Sequence, residues 1–340
     1  MNVTDRTEQL GEWYRSWSGS SEELQMVAGD ASFRRYFRVP HEGTSLILCD
    51  APPETEKNAE FVALAKGLAA AGLRVPTVLQ ADIEQGFLAL EDLGDQTLLP
   101  LLQADSVDQY YAQALDLLEN LALADLDNFS LEVYDRSLLG REMDLFPEWF
   151  CQSLLGLECD QIASDLYTAL RTLLCDRALA QTQVVVHRDF HARNLMVLSD
   201  NSLATIDFQD AVLGPLSYDP VSLLKDCYVR WPDYRVKKWV LAYREGLQSK
   251  GVAVPSADDF LMDFHFMGLQ RHIKVLGIFA RLYLRDGKPA YLGDLPRVIA
   301  YVRRGLATYP EVQALADFAR WFGEVVLPAA QQQSWFHDSD

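Results

Sequence analysis

The residues of this chain best suited to chemistry lie between Val184 and Asp210, V-V-V-H-R-D-F-H-A-R-N-L-M-V-L-S-D-N-S-L-A-T-I-D-F-Q-D. The β-branched run Val184-Val185-Val186 suits a buried strand that delivers His187, Arg188 and Asp189 at its end, with Asn194 five residues beyond Asp189. A second apolar run, Leu195 to Leu198, precedes the turn Ser199-Asp200-Asn201-Ser202, and a third, Leu203 to Ile206, ends at Asp207. The pattern predicts a hairpin with two carboxylates and one carboxamide at its open end. Phosphoryl transfer from a nucleotide requires that inventory: a carboxylate to orient and deprotonate the attacking hydroxyl, and oxygen ligands to hold magnesium against the phosphates. Asp189 is the expected base, and Asn194 and Asp207 the expected metal ligands. Taken singly each is an ordinary turn residue, so the chemical reading rests on their order along one hairpin.

The elements that must position these groups fit in 340 residues, enough for two lobes, and 49% hydrophobic content can fill a sizeable core. A net charge of -19, with no basic run of five or more, argues against nucleic acid and against an anionic membrane surface as partners. Five cysteines without a C-x-x-C pair read as reduced thiols rather than a disulfide framework or zinc site. The N-terminal residues lack a secretory pattern and no apolar run approaches the length of a span, so a cytoplasmic location is expected.

Residues 4 to 17 carry helical spacing at Leu10, Trp13, Tyr14 and Trp17. From Leu24 to Val39 the text predicts two strands around a Gly29-Asp30-Ala31-Ser32 turn, with Phe33, Arg35, Phe37 and Val39 alternating against Arg34, Tyr36 and Arg38. Such a turn can lay backbone N–H groups over phosphates, with Gly29, Ser32 and Arg35 as nucleotide-binding candidates; an ordinary hairpin with solvated arginines fits the same text. Further strands are expected at Ser45 to Cys49, Arg74 to Leu79 and Gly86 to Leu90, with a helix from Glu56 to Ala71. From Leu98 onward the spacing turns helical, broken at Pro147 and by the hairpin described above. Asp219 heads a helix, where its position reads as an N-cap. The stretch Asp258 to Leu284 sets Arg271, His272, Lys274 and Arg281 among apolar residues, so an anion, from the protein or from a substrate, is expected near Arg271.

The order H-R-D-x-x-x-x-N followed by Asp-Phe resembles the catalytic and metal-binding segments of the protein-kinase-like superfamily. The stretches G-D-A-S-F-R-R-Y-F-R-V (29 to 39), L-E-D-L-G-D (90 to 95), R-E-M-D-L-F-P-E-W-F (141 to 150), I-D-F-Q-D-A (206 to 211) and L-Q-R-H-I-K-V-L-G-I-F-A-R (269 to 281) are similar to the aminoglycoside phosphotransferase-like family. Within it they resemble the anomeric kinases of N-acetylmuramate and N-acetylglucosamine in cell-wall recycling. The resemblance implies an α+β, protein-kinase-like two-lobe fold, with a small mostly-β N-lobe over residues 1–93 and a larger mostly-α C-lobe over 94–340. It implies ATP and Mg2+ as cosubstrate and cofactor, a small-molecule amino-sugar substrate, a monomer, transfer to the C1 hydroxyl, and Asp219 as a tether for the loop of Asp189. The hinge at Leu90, Glu91 and Asp92 would meet the adenine edge, and Arg193, Asp144, Arg271 and His272 are acceptor-site candidates, with Arg193 ahead of Arg271 for a lactyl carboxylate. One departure stands out: the third strand ends in Cys49 and Asp50 where kinases carry a lysine, and Arg35, Arg38 or Lys57 are the candidate substitutes, with Glu60 the helix glutamate. Two alternatives stay open: another small-molecule kinase of the family, acting on an aminoglycoside, choline or homoserine, and a catalytically inactive nucleotide-binding module.

Overall fold

The alternation that begins at Phe33 builds a sheet with two dissimilar faces. In the computed structural model, which describes residues 3–29, 33–158 and 160–338, the strands β1 (Gln25–Gly29), β2 (Arg35–His41), β3 (Thr44–Asp50), β4 (Val78–Asp82) and β5 (Phe87–Glu91) form an antiparallel sheet in the order β1-β2-β3-β5-β4. Helix α1 (Val3–Ser18) covers one face, where Leu10 and Tyr14 pack on Phe37, Val39, Leu46, Leu48 and Phe87, all buried. Tyr36 and Arg38 take the other face because successive strand residues point to opposite sides. Helix α2 (Asn58–Ala70) follows β3.

Three polar side chains fasten α1. The Asp50 carboxylate is fully buried and accepts Arg6 Nη2 and Arg35 Nη2, each at 2.5 Å. Arg35 Nη1 also donates to Thr7 Oγ1 at 3.1 Å, and the Tyr14 hydroxyl donates to the Pro40 carbonyl at 3.0 Å.

Beyond Val107 the chain is mostly helical: α3 (Val107–Ala122), the short strand β6 (Glu132–Val133), α4 (Arg136–Met143), a π-helical segment over Phe146–Leu154, and α5 (Gln161–Leu179). Then come β7 (Gln183–Val186), the paired strands β8 (Leu195–Val197) and β9 (Leu203–Thr205), β10 (Val212–Pro215), α6 (Tyr218–Leu224), α7 (Asp233–Ser249), α8 (Ala257–Leu284) and α9 (Leu295–Ala307). Pro147 does not break this region. It sits in the first turn of the π-helical segment, where its missing N–H is not needed. The segment's lead-in presses on α8: a Cβ on Gly277 would lie 2.3 Å from the Leu145 carbonyl carbon, so only glycine fits there. Among the described residues no helix is long and apolar enough to cross a membrane.

The chain divides into two units interleaved in sequence. The first holds residues 1–106, 125–130 and 193–210; the second holds 107–124, 131–192 and 211–340. The β8–β9 pair forms its own small sheet and belongs with the first unit, because its backbone bonds there: Leu98 N donates to the Leu195 carbonyl at 2.8 Å and Thr205 N to the Arg74 carbonyl at 2.7 Å. A single cut at residue 93 does not describe this division. Helices dominate the second unit, whose small sheet has the order β6-β10-β7.

Replacing Asp50 with alanine should leave two mostly buried guanidinium groups without their anion and lower the unfolding free energy by about 3 kcal/mol. Urea titration reads this directly; an unchanged midpoint would show that the Arg6–Asp50–Arg35 cluster does not hold α1.

Candidate active site

The loop that carries Asp189 is fastened from below by α6. Strand β7 is buried along Val184, Val185 and Val186 and pairs antiparallel with β10, Val186 opposite Val212. At its end the His187 and Arg188 backbone N–H groups donate to the two oxygens of Asp219, at 2.7 and 3.0 Å. Asp219 is thus a tether for the loop and not only a cap on its own helix. Burial pushes its carboxyl up to about 7, although both N–H donors favour the charged form. Ser222 Oγ donates to the Arg188 carbonyl at 3.1 Å, and Asp226 accepts the Ala192 N–H at 3.2 Å. Arg188 itself is held in left-handed backbone, φ 74°. That conformation is costly for a residue with a Cβ and persists because these bonds determine it.

Charge around Asp189 is arranged for an anion. The Arg188 guanidinium pairs with Glu142 of α4, which also accepts Lys274 Nζ at 2.9 Å and the Tyr134 hydroxyl. Lys274 donates in turn to the Tyr218 hydroxyl at 3.0 Å. Burial alone would raise the Asp189 carboxyl, but the charges of His191, Lys274, Arg271 and His187 overcome it and hold Asp189 below the usual carboxylate range. Asp189 is therefore ionised near neutral pH.

The first unit carries a separate cavity of about 260 Å³. Its floor is the sheet face of Tyr36, Arg38 and Ile47, its rim is the chain from Leu90 to Gly94, and Phe61, Met196, Ile206 and Phe208 supply apolar walls. Phe61 of α2 stacks on Phe208, ring centroids 4.9 Å apart. Asn194 and Asp207 open onto the same cavity; Asn194 Nδ2 lies 3.2 Å from Asp207 Oδ2, and Gln209 Nε2 donates to Asp207 Oδ1 at 2.7 Å. Asp207 also adopts left-handed backbone, φ 63°. One carboxylate beside one carboxamide, both reachable from a cavity, is the oxygen-donor set a magnesium ion uses when phosphates and waters complete its shell. The residues fit that ion.

The other expected site residues are distributed as follows. Leu90, Glu91 and Asp92 line the cavity, but the Glu91 carboxylate pairs with Arg74 and Thr77, and its N–H donates to the Thr77 carbonyl at 2.9 Å. Asp92 accepts Arg38 Nε and the Ser45 hydroxyl, both at 2.6 Å. Gly29 ends β1 opposite Arg35, while Ser32 lies outside the described residues. Arg35 does not line the cavity, because the strand alternation turns it to the α1 face and onto Asp50. Asp144 caps α4 and pairs with Arg171 at 3.0 Å. Arg193 is exposed and belongs to the first unit, whereas Arg271 belongs to the second with Asp189. His272, one residue on, is turned away: its Nε2 lies 2.9 Å from the Lys225 carbonyl, its ring stacks on Tyr301, and burial lowers it to about 3.

Arg271 differs from these. It is only 5% exposed, yet it makes no ion pair among the described residues; its Nη1 reaches Cys227 Sγ at 3.6 Å. No carboxylate lies within ion-pair distance of it among the described residues, although the charges of Asp189 and Asp226 act on it. Glu60, the expected helix glutamate, is exposed, and the cation of that region pairs instead with Glu56. Sequence reading also gave no role to Glu142, Tyr36 and Phe61; the first two lie within stretches that carry the family resemblance, but their places are recognisable only once alternation and helical phase are placed in space.

Residues 23–258 match the model of the phosphotransferase enzyme family. The N-acetylmuramate/N-acetylglucosamine kinase of Pseudomonas putida is 43% identical over 91% of this chain and 92% of its own length. The enzyme of the same name from Neisseria meningitidis is 41% identical over 86% and 88%. Among solved structures, the GDP complex of aminoglycoside 2'-phosphotransferase-IIIa superposes with a TM-score of 0.59 at 15% identity, covering 94% of this chain and all of that one (100%). The fold is the protein-kinase-like α+β fold of those enzymes, and by sequence and by architecture this chain belongs to the phosphotransferase enzyme family.

Proposed function

We propose that this protein is an ATP-dependent sugar kinase that phosphorylates the C1 hydroxyl of N-acetylmuramate and N-acetylglucosamine. The names of relatives that match nearly end to end support the sugar class. The observation that carries the muramate assignment is Arg271: a buried guanidinium without an ion pair, in the same unit as Asp189 and close enough to act on its charge. Asp189 and Asp226 supply nearby negative charge, but neither is in ion-pair contact with the guanidinium, which leaves its fork of donors for the lactyl carboxylate of muramate. Arg271 and Lys274 beside Asp189 equally disfavour the cationic acceptors choline and aminoglycosides.

In the reaction Asp189 accepts the C1 hydroxyl proton as O1 bonds to the γ-phosphorus and the bond from the γ-phosphorus to the β,γ-bridging oxygen breaks, leaving ADP. An anomeric hydroxyl is more acidic than an ordinary alcohol, so a carboxylate of low basicity is sufficient and positioning does most of the work. Asn194 and Asp207 would hold magnesium, which neutralises phosphate charge when bound. The apolar walls at Phe61, Met196 and Ile206 suit the flat adenine ring, and with the Glu91 N–H engaged by Thr77 and the Gly94 N–H by the Asp92 carboxylate, the hinge backbone at Asp92 and Leu93 is the candidate for its edge. Buried thiols outside any disulfide at Cys49, Cys175 and Cys227 support a reducing compartment, the cytoplasm.

A coupled assay of ADP release across a panel of reducing N-acetyl sugars tests the assignment. Asp189→Asn should lower kcat by roughly 100-fold or more while nucleotide affinity is retained; full activity in this variant would exclude Asp189 as the base. Arg271→Met should raise KM for N-acetylmuramate about tenfold or more and change KM for N-acetylglucosamine little, as loss of one charge-assisted contact does. Equal effects on the two sugars would remove Arg271 from carboxylate binding, and a muramate-selective loss in Arg193→Met would move the role there.

A further inference from the structure

Kinases grip the nucleotide phosphates with a lysine on the third strand that pairs with a glutamate of the following helix. In this chain the third-strand side chain on the cavity face is Cys49, opposite Tyr36. Both are neutral near pH 7, since burial pushes the Cys49 thiol up to about 12 and raises the Tyr36 phenol as well. A positive group must come from elsewhere. Of the three arginines clustered here, Arg35 is engaged by Asp50 on the far face of the sheet, and Arg38 holds Asp92 at 2.6 Å and Asp95 at 2.8 Å.

Arg34 is placed differently. It is 3% exposed, and its Nη2 lies 3.0 Å from Glu56 Oε2, just ahead of α2. Its guanidinium sits over the Phe61 ring at 4.9 Å, and Phe61 stacks on Phe208, the residue after Asp207. Its charge is felt by both Tyr36 and Cys49, and Tyr36 in turn feels Asp207. These contacts fix the cation beside Phe61, one wall of the cavity, although Arg34 does not itself line it; Phe61 in turn stacks on the metal-ligand segment, all within the first unit. A guanidinium has five N–H donors in a planar fork and can serve a carboxylate and a phosphate oxygen together, which an ammonium on a flexible stem does less well.

We propose that Arg34, oriented by Glu56, is the phosphate-binding cation of this enzyme and replaces the third-strand lysine from the neighbouring strand. The proposal rests on the nucleotide-binding reading above. It is tested by equilibrium binding of adenosine, MgADP and a non-hydrolysable MgATP analogue to wild type and variants.

Arg34→Met with Glu56→Gln removes both charges, so neither is left buried alone. This pair should weaken MgADP and the MgATP analogue by roughly 10–100-fold and change adenosine affinity less than about twofold. Arg34→Lys, which keeps the charge and loses the fork, should fall between that variant and wild type. Arg34→Met combined with Cys49→Lys, Glu56 retained, should recover most of the lost MgADP affinity by returning the cation to the third strand, an outcome that a purely structural Arg34 would not produce. Equal losses for adenosine and the phosphorylated ligands, or no loss in any variant, would overturn the proposal. Wild type that binds no nucleotide would instead defeat the kinase reading itself.

Discussion

Asp189 must stay ionised while largely withdrawn from water, and much of the second unit answers that constraint. Its charge is stabilised by His191, Lys274, Arg271 and His187. A buried Lys274 is costly in turn, and Glu142 compensates it together with the neighbouring Arg188, its own carboxyl held low by both against the effect of burial. Two more carboxylates, Asp219 and Asp226, bond backbone N–H groups and set the loop's path. Removing one member leaves a neighbour buried and unpaired, so this network is expected to lose more than any one bond is worth.

The first unit is organised by a simpler rule, the two-residue period of strand β2. Its phase sends Phe37 and Val39 to the α1 face with Arg35, whose charge is taken up by Asp50 in holding that helix. The opposite phase gives Tyr36 and Arg38 to the cavity. A one-residue slip would exchange these sets, burying Arg38 against α1 and exposing Phe37. Structural and ligand-facing arginines are thus separated by strand geometry and not by residue type.

Much of this was legible in the sequence where the signal is local. The V-V-V run, the H-R-D-x-x-x-x-N spacing and the strand ending at Asp207 specify the loop and the β8–β9 pair, because turn chemistry and short apolar runs act over a few residues. Asp219 as a tether was foreseen from resemblance, and its hydrogen bonds agree. What could not be read depends on partners distant in the chain. Arg34 and Arg35 are adjacent and identical in type; alternation sets them on opposite faces, but only the distant partners Glu56 and Asp50 show what each one does. Arg271 and His272 are adjacent on α8, yet one helical step of about 100° carries the histidine onto Tyr301. The grouping of residues 193–210 with the first unit likewise follows from backbone bonds to Arg74 and Leu98 that no motif announces.

A carboxylate held below its ordinary range is a weak base, so in the proposed reaction positioning and the acidity of the anomeric hydroxyl carry the proton transfer. The position of the transferred phosphate tests this most directly. With N-acetylmuramate labelled by 13C at C1 and MgATP, NMR of the product should show phosphorus coupling at the anomeric carbon and proton, with loss of the free reducing end. Phosphate appearing on the C6 hydroxyl with C1 unchanged would contradict the account.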